Sequence, residues 1–240
     1  MKQTQINRKL NLEEPEGGIY FGTDVLLLAH FMGGFKSGVG VDLGTGSGII
    51  PLLLLSSGIK VKITGIEIQK NYCDIANQNS GANGFSDKFS VLLGDIKEIK
   101  TLFPSGGADA VFTNPPYLKT TSGRHNVAEH KNIAFHEVFC DINDICRAAS
   151  WCLKSGGKFY AVYRPERAVG FLTALRNNRL EPKKITFVYP SAEKAPSLFL
   201  VEAKKDAKEG LLISKNLYIY TDTSNSIYTD EMKKIYSEFE

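Results

Sequence analysis

Asn114-Pro115-Pro116-Tyr117 puts an amide, two rigid rings and an aromatic side chain in four consecutive positions, at the end of the apolar run Ala108 to Thr113. The run reads as a buried strand. Two prolines in succession can neither continue a sheet ladder nor enter a helix interior, so the chain leaves the strand in a stiff, extended turn. The amide and the ring are thereby held at a strand end, an odd place for a polar amide unless something binds it. The same residues also read as a plain Asn-Pro turn. The sequence upstream decides between the two.

Val41-Asp42-Leu43-Gly44-Thr45-Gly46-Ser47-Gly48 joins another apolar strand to a helix. Its glycines permit a tight turn and let a ligand approach the backbone with no Cβ in the way. Such a turn also occurs without a ligand, and three alternating glycines alone are a weak signal. Glu67 stands 19 residues past Gly48, at the end of the second strand, where a carboxylate can accept from ribose hydroxyls. Asp95, in Leu93-Gly94-Asp95-Ile96, follows the third strand and is placed to accept from an adenine amino group. Asp42, ahead of the glycines, would repel a pyrophosphate. An adenosyl ligand with a positive ammonium and no phosphate satisfies all three acids, and S-adenosylmethionine is such a ligand.

The elements that must position these residues alternate. Strands are expected at Val39 to Leu43, Val61 to Ile66, Phe89 to Leu93 and Ala108 to Thr113, with helices from Ile49 to about Ser57 and after Glu67. That alternation predicts an α/β fold with a mostly parallel sheet covered by helices on both faces. Thr23 to Phe31 predicts an apolar helix capped by Thr23 or Asp24. Lys119 to Lys131 reads as loop. A long helix is expected from about His136 to Leu153, closed by Lys154-Ser155-Gly156-Gly157 as a glycine cap. Strands at Lys158 to Tyr163, Ile185 to Tyr189 and Leu198 to Lys204 bring the sheet to seven. Beyond lie a short strand at Leu217 to Tyr220 and a helix from Thr229. The expected organisation is an arm and helix over the cofactor site (1–38), a catalytic domain (39–205) and an extension (206–240).

At 240 residues, 42% hydrophobic and 23% charged, the composition is that of one large globular domain. No apolar run approaches the ~20 residues that span a bilayer. The first residues lack a secretory signal, so a cytoplasmic location is expected. Cys73, Cys140, Cys146 and Cys152 contain no Cys-x-x-Cys pair and read as free thiols. His30 reads as a packing residue, and His125, His130 and His136 are too scattered for a metal site, so no metal is expected.

In order along the chain, Asp42 to Gly48, Gly65-Ile66-Glu67, Gly94-Asp95-Ile96 and Asn114 to Tyr117 resemble the motifs of class I S-adenosylmethionine-dependent methyltransferases. The Asn-Pro-Pro-Tyr form is typical of members acting on planar amino or amide nitrogens. Gly22-Thr23-Asp24-Val25-Leu26-Leu27, His136-Glu137, Arg147-Ala148-Ala149, Leu153 to Lys158 and Arg164-Pro165-Glu166-Arg167 extend the resemblance to the bacterial valine-tRNA adenine-N6 methyltransferase family, over about residues 15 to 205. The resemblance implies a Rossmann-like class I fold with a seven-stranded sheet. It implies S-adenosylmethionine held by Thr23, Asp24, Asp42, Gly44, Thr45, Gly46, Gly48, Glu67, Ile68, Asp95, Ile96 and Asn114. It also implies catalysis by Asn114, Pro115, Pro116 and Tyr117. The Asn114 oxygen and the Pro115 carbonyl would accept the two N–H bonds of an adenine amino group, with Tyr117 stacked on a base turned out of its loop. No general base is then required, because positioning lowers the barrier.

The implied partner is tRNA. Lys119 and Arg124 in the loop, and Arg164 and Arg167 further on, are the candidate RNA contacts, with Arg176, Arg179, Lys183 and Lys184 as a denser basic set nearby. Two alternatives stand beside this reading. One is methylation of a protein glutamine or a guanine amino group. Glutamine-acting relatives usually carry a helical N-terminal domain, for which the ~38 residues before the first strand leave no room. The other is a non-catalytic adenosyl-binding module, which would have no use for the Asn114 amide.

Overall fold

The structure, a computed structural model, describes residues 2–5, 10–15, 22–115 and 141–239. In chain order the elements are β1 (Lys2–Gln5), β2 (Asn11–Glu14), α1 (Thr23–Phe31), β3 (Ser37–Leu43), α2 (Ile49–Ser56), β4 (Lys60–Glu67), α3 (Lys70–Ala82), β5 (Phe89–Leu93), α4 (Ile99–Leu102) and β6 (Ala108–Thr113). They continue with α5 (Ile142–Cys152), β7 (Leu153–Tyr163), α6 (Ala168–Asn177), β8 (Leu180–Tyr189), β9 (Leu198–Lys205), β10 (Leu212–Ile213), β11 (Leu217–Tyr218) and α7 (Asp230–Ser237).

The main sheet runs β10-β8-β9-β7-β6-β3-β4-β5, with β11 also paired to β8. Its β9 is antiparallel to both neighbours and every other pairing is parallel. The seven expected strands all form. The sheet reaches nine because β10 and β11, two residues each, add to the β8 edge.

Each central strand feeds two cores alternately, as a period of two requires. Ala110 and Phe112 of β6, Tyr160 and Val162 of β7, and Leu198 and Leu200 of β9 face one core with α1, α2, α3 and α7. Val111, Phe159, Ala161, Phe199 and Val201 face the other, under α4, α5 and α6. Because both faces are covered, these strands read as unbroken apolar runs. Burial of α1 is nearly complete from Val25 to Ala29, where it lies against α2 and α7.

Two local expectations need correction. The long helix ends at Cys152 and Leu153 is already extended, so residues 154–157 do not cap it. Pairing jumps from Leu153–Ala108 to Lys158–Ala110, and Gly156, at φ 79°, lies in the resulting bulge of β7. Buried, apolar Leu153 gains more from the sheet than from another helical turn, and the glycine takes up the slack. Whatever of that helix precedes residue 141 is outside the described residues; Asp141 caps the described part, accepting from Asp144 N. The polar N-terminal arm, in turn, contains a hairpin, β1 against β2. Asn79 of α3 and Asn83, the C-cap of that helix, hold it by exchanging hydrogen bonds with the backbones of Glu13 and Asn11 at 2.8–3.0 Å.

After β3 the chain builds β4 and β5 on one side, then returns to place β6 on the other. The carboxyl ends of β3 and β6 therefore flank a topological switch point, where open α/β sheets form their ligand crevice.

Candidate active site

Asp42, near the end of β3, is buried. Its Oδ2 accepts the Thr45 hydroxyl at 2.7 Å, while its Oδ1 is buried with no hydrogen-bond partner. Burial is the main cause that lifts this carboxyl from 3.8 to about 7; the nearby Glu67 charge adds to it and the Thr45 bond opposes it. A buried carboxylate oxygen without a partner is costly unless a cation or donor arrives.

The following loop turns with Gly44, Gly46 and Gly48 at φ 73°, 56° and 85°, in the left-handed region that suits glycine. A Cβ on Gly44 or Gly46 would meet no atom within 4 Å, so the space over these two is open. On Gly48 it would lie 2.6 Å from the Phe89 ring, so that glycine serves close packing of α2 on β5. Glu67 at the end of β4 is buried and holds the loop in shape: Oε2 accepts from Gly46 N and Oε1 from Gln69 N, both at 2.9 Å. Half-buried Ile68 follows. Beyond β5, Asp95 Oδ1 accepts from Lys97 N at 2.9 Å, and Ile96 packs on the second core. Leu93, the last residue of β5, is 49% exposed and presents an apolar surface just ahead of Asp95, which the sequence reading did not single out.

Across the switch point, Thr113 Oγ1 donates to Leu43 O at 2.7 Å, tying the ends of β6 and β3 together. Asn114 comes next, half-buried, and Pro115 is buried. The Asn114 Nδ2 donates to Asp24 Oδ2 at 2.9 Å. That bond corrects the expected cap. The N-cap of α1 is Gly22, with no side-chain cap bond, and the Asp24 carboxylate reaches across to the turn after β6 instead. Pro116, Tyr117, Lys119 and Arg124 lie outside the described residues.

The basic positions divide. Arg164 and Arg167 follow β7, on the same rim as Asn114; Arg164 Nη1 donates to Ser197 O at 3.3 Å, and Arg167 is exposed. Arg176 and Arg179 lie at the opposite end of the sheet, where β8 begins, and are engaged by Glu181, Glu209 and Asp206. They do not join the rim. His30, expected as a packing residue, is partly exposed, with Nδ1 2.7 Å from Glu238 Oε2. Cys73, Cys146 and Cys152 are buried free thiols, and Cys140 is outside the described residues. Among the described residues no cluster of His, Cys, Asp or Glu could hold a metal ion, and no helix is long and apolar enough to cross a membrane.

The unsatisfied Asp42 oxygen and the hollow over Gly44 and Gly46 fit a ligand that brings a cation and lies close to the backbone. Asn114 follows β6, the strand paired with β3, on the same rim.

The chain is similar to several known proteins. A protein of Porphyromonas gingivalis called tRNA1(Val) (adenine(37)-N6)-methyltransferase is 26% identical over 201 residues, covering 81% of this chain and 78% of its own. Proteins of the same name from Phocaeicola vulgatus and Pedobacter heparinus are 25% and 24% identical, covering 91% and 100% of this chain and 89% and 98% of their own. Among solved structures, a predicted O-methyltransferase from Agrobacterium tumefaciens superposes with a TM-score of 0.72 at 20% identity, over 90% of this chain and 96% of that one. At that identity the likeness is one of fold. The family model described as "Methyltransferase small domain" matches residues 16–178, most of the chain and all of the crevice built above, and the protein belongs to that family.

Proposed function

We propose that the protein transfers a methyl group from S-adenosylmethionine to the N6 amino group of an adenine in tRNA, the anticodon-loop adenine of valine tRNA in particular. The observation that carries this reading is the Asn114 amide, held at the end of β6 and joined through Thr113 to the strand that bears the glycine loop. The names of the relatives select adenine in tRNA among planar nitrogens.

When bound, S-adenosylmethionine supplies a methyl group on a positive sulfur, which departs as a neutral thioether as the acceptor nitrogen bonds to the methyl. Asp42 offers its unpaired oxygen to the ammonium of the amino-acid end. Gly44 and Gly46 leave room for the ligand against the backbone. Glu67 takes ribose hydroxyls on lone pairs not used by Gly46 and Gln69, since each carboxylate oxygen can accept twice. Asp95 receives the adenine amino group, with Ile68, Ile96 and Leu93 as apolar walls, and Thr23 closes the methionine end.

Asn114 accepts one N–H of the target amino group through Oδ1, and the Pro115 carbonyl accepts the other. Two acceptors draw the nitrogen away from planarity, so its lone pair leaves conjugation and points at the methyl. The proton shed on transfer passes to water, and no side chain need act as a strong base. Tyr117 stacks on the turned-out base, and Lys119, Arg124, Arg164 and Arg167 contact phosphates. A tRNA substrate supports a cytoplasmic location, which is part of this proposal.

The test is methylation of an unmodified valine tRNA transcript, followed by nucleoside mass spectrometry. N6-methyladenosine is expected. Methyl on a guanine amino group, or on a protein glutamine with the transcript untouched, overturns the proposal.

A further inference from the structure

The Asp24–Asn114 bond decides which edge of the amide meets the substrate. A carboxylate has no hydrogen to give, so of the two ends of the Asn114 amide only the NH2 can face it. The carbonyl oxygen is then fixed on the other edge. Asp24 is itself held firmly: the five residues after it are buried in the first core. Gly22 completes the arrangement, because a Cβ there would stand 2.9 Å from Asp24 Oδ1. Glycine at 22 thus lets the carboxylate lie over the start of the helix and reach Asn114.

Resting on the proposed amino-group chemistry, we infer that Asp24 is a positioning residue that locks the Asn114 amide with its oxygen toward the acceptor, and so sets selectivity for an amino group over an oxo group. With the lock in place the site accepts hydrogen bonds. An adenine amino group satisfies it, whereas the oxo group of hypoxanthine opposes one acceptor with another. Without the lock the carboxylate no longer selects between the two orientations of the amide, one of which donates to the oxo group and rejects the amino group.

The full-length chain and its Asp24→Ala and Asp24→Asn variants test this with two valine tRNA transcripts, one carrying adenosine at the target position and one inosine. Removing the lock should lower kcat on the adenosine transcript by about 10²-fold, the usual cost of misplacing a reacting group, and by far more than it lowers S-adenosylhomocysteine affinity. Competition by the inosine transcript should strengthen relative to the adenosine transcript, which a merely structural role would not produce. Asp24→Glu, which keeps the carboxylate, should recover part of kcat. A second measurement needs no RNA: the Asn114 side-chain 15N–1H2 resonance, assigned by its loss in Asn114→Ala, should show one strongly deshielded proton that disappears in Asp24→Ala.

An unchanged resonance, unchanged discrimination, or a fall in S-adenosylhomocysteine affinity as large as the fall in kcat would overturn the role given to Asp24. A wild-type chain that methylates no transcript would overturn the substrate reading instead, and the resonance would still report on the pair.

Discussion

Glu67 grips the glycine loop through Gly46: its Oε2 accepts from Gly46 N at 2.9 Å, while its Oε1 accepts from Gln69 N. One buried side chain therefore ties the loop after β3 to the end of β4, so it shapes the cofactor hollow as well as facing it. Replacing Glu67 with Ala removes both bonds. Hydrogen bonds to a charged group contribute about 1.5–3 kcal/mol each, so the variant should lose at least about tenfold in S-adenosylhomocysteine affinity and also melt earlier. Calorimetric titration and a thermal melt read the two effects. Weakened binding with an unchanged melting temperature would show that the loop keeps its shape without Glu67.

Asn114→Ala should divide the measurements the other way. Single-turnover methyl transfer should fall by about 10²-fold or more, with S-adenosylhomocysteine affinity changed by no more than about threefold, because the amide belongs to the acceptor. Near-normal turnover would remove Asn114 from the mechanism.

Asp42 gives the fold a pH dependence of defined sign. Its carboxyl sits at about 7 in the folded chain against 3.8 ordinarily, so between those values the folded chain keeps a proton that the unfolded chain has released. Stability from this group is full below about pH 4 and declines as pH rises to 7, by an amount on the order of 4 kcal/mol. Asp42→Asn keeps the shape without the charge. Its melting temperature relative to wild type should be higher at pH 8 than at pH 5, by about 5 °C or more. Equal differences at both pH values would contradict the buried charge. Wild-type affinity for S-adenosylhomocysteine should climb as pH passes 7, since the ionised carboxylate is the form that attracts an ammonium.

Two glycines of one loop should fail differently. Gly48→Ala drives a Cβ to 2.6 Å from Phe89 in addition to backbone strain, and should lower stability by about 2 kcal/mol or more. Gly44→Ala meets no neighbour and carries only the left-handed penalty of about 1–2 kcal/mol, yet it projects a methyl into the hollow. Its loss should be chiefly in cofactor binding. A Gly44→Ala chain that binds S-adenosylhomocysteine normally would place the ligand elsewhere.

What the sequence reveals follows from which forces leave a local trace. Strands covered on both faces leave apolar runs, so Val41, Val111 and Phe159 announce their elements. The loop glycines and the acids at strand ends are local as well, and Asp42, Glu67 and Asn114 can be read directly. The N-terminal hairpin leaves no such trace. Apart from Leu12, buried in the first core, its β2 strand is polar, and it is also secured by Asn79 and Asn83, 66 and 72 residues away from their backbone partners. The Asp24–Asn114 bond spans 90 residues, and Asp24 in the first turn of a helix looks like an ordinary cap. Gly156 misleads because a glycine after a helix looks the same whether it ends the helix or relieves a strand.

The seam between β3 and β6 has a consequence for engineering. The groups assigned to the methyl donor come mainly from residues 42–96, those assigned to the acceptor from 114 onward, and the hydroxyl of Thr113 stitches the two at Leu43. The two sets of groups meet at that stitch, although the first core draws on both halves. A chimaera that exchanges everything after Thr113 for the matching part of a relative would inherit a new acceptor with its old donor, provided position 24 still presents a carboxylate to the incoming amide.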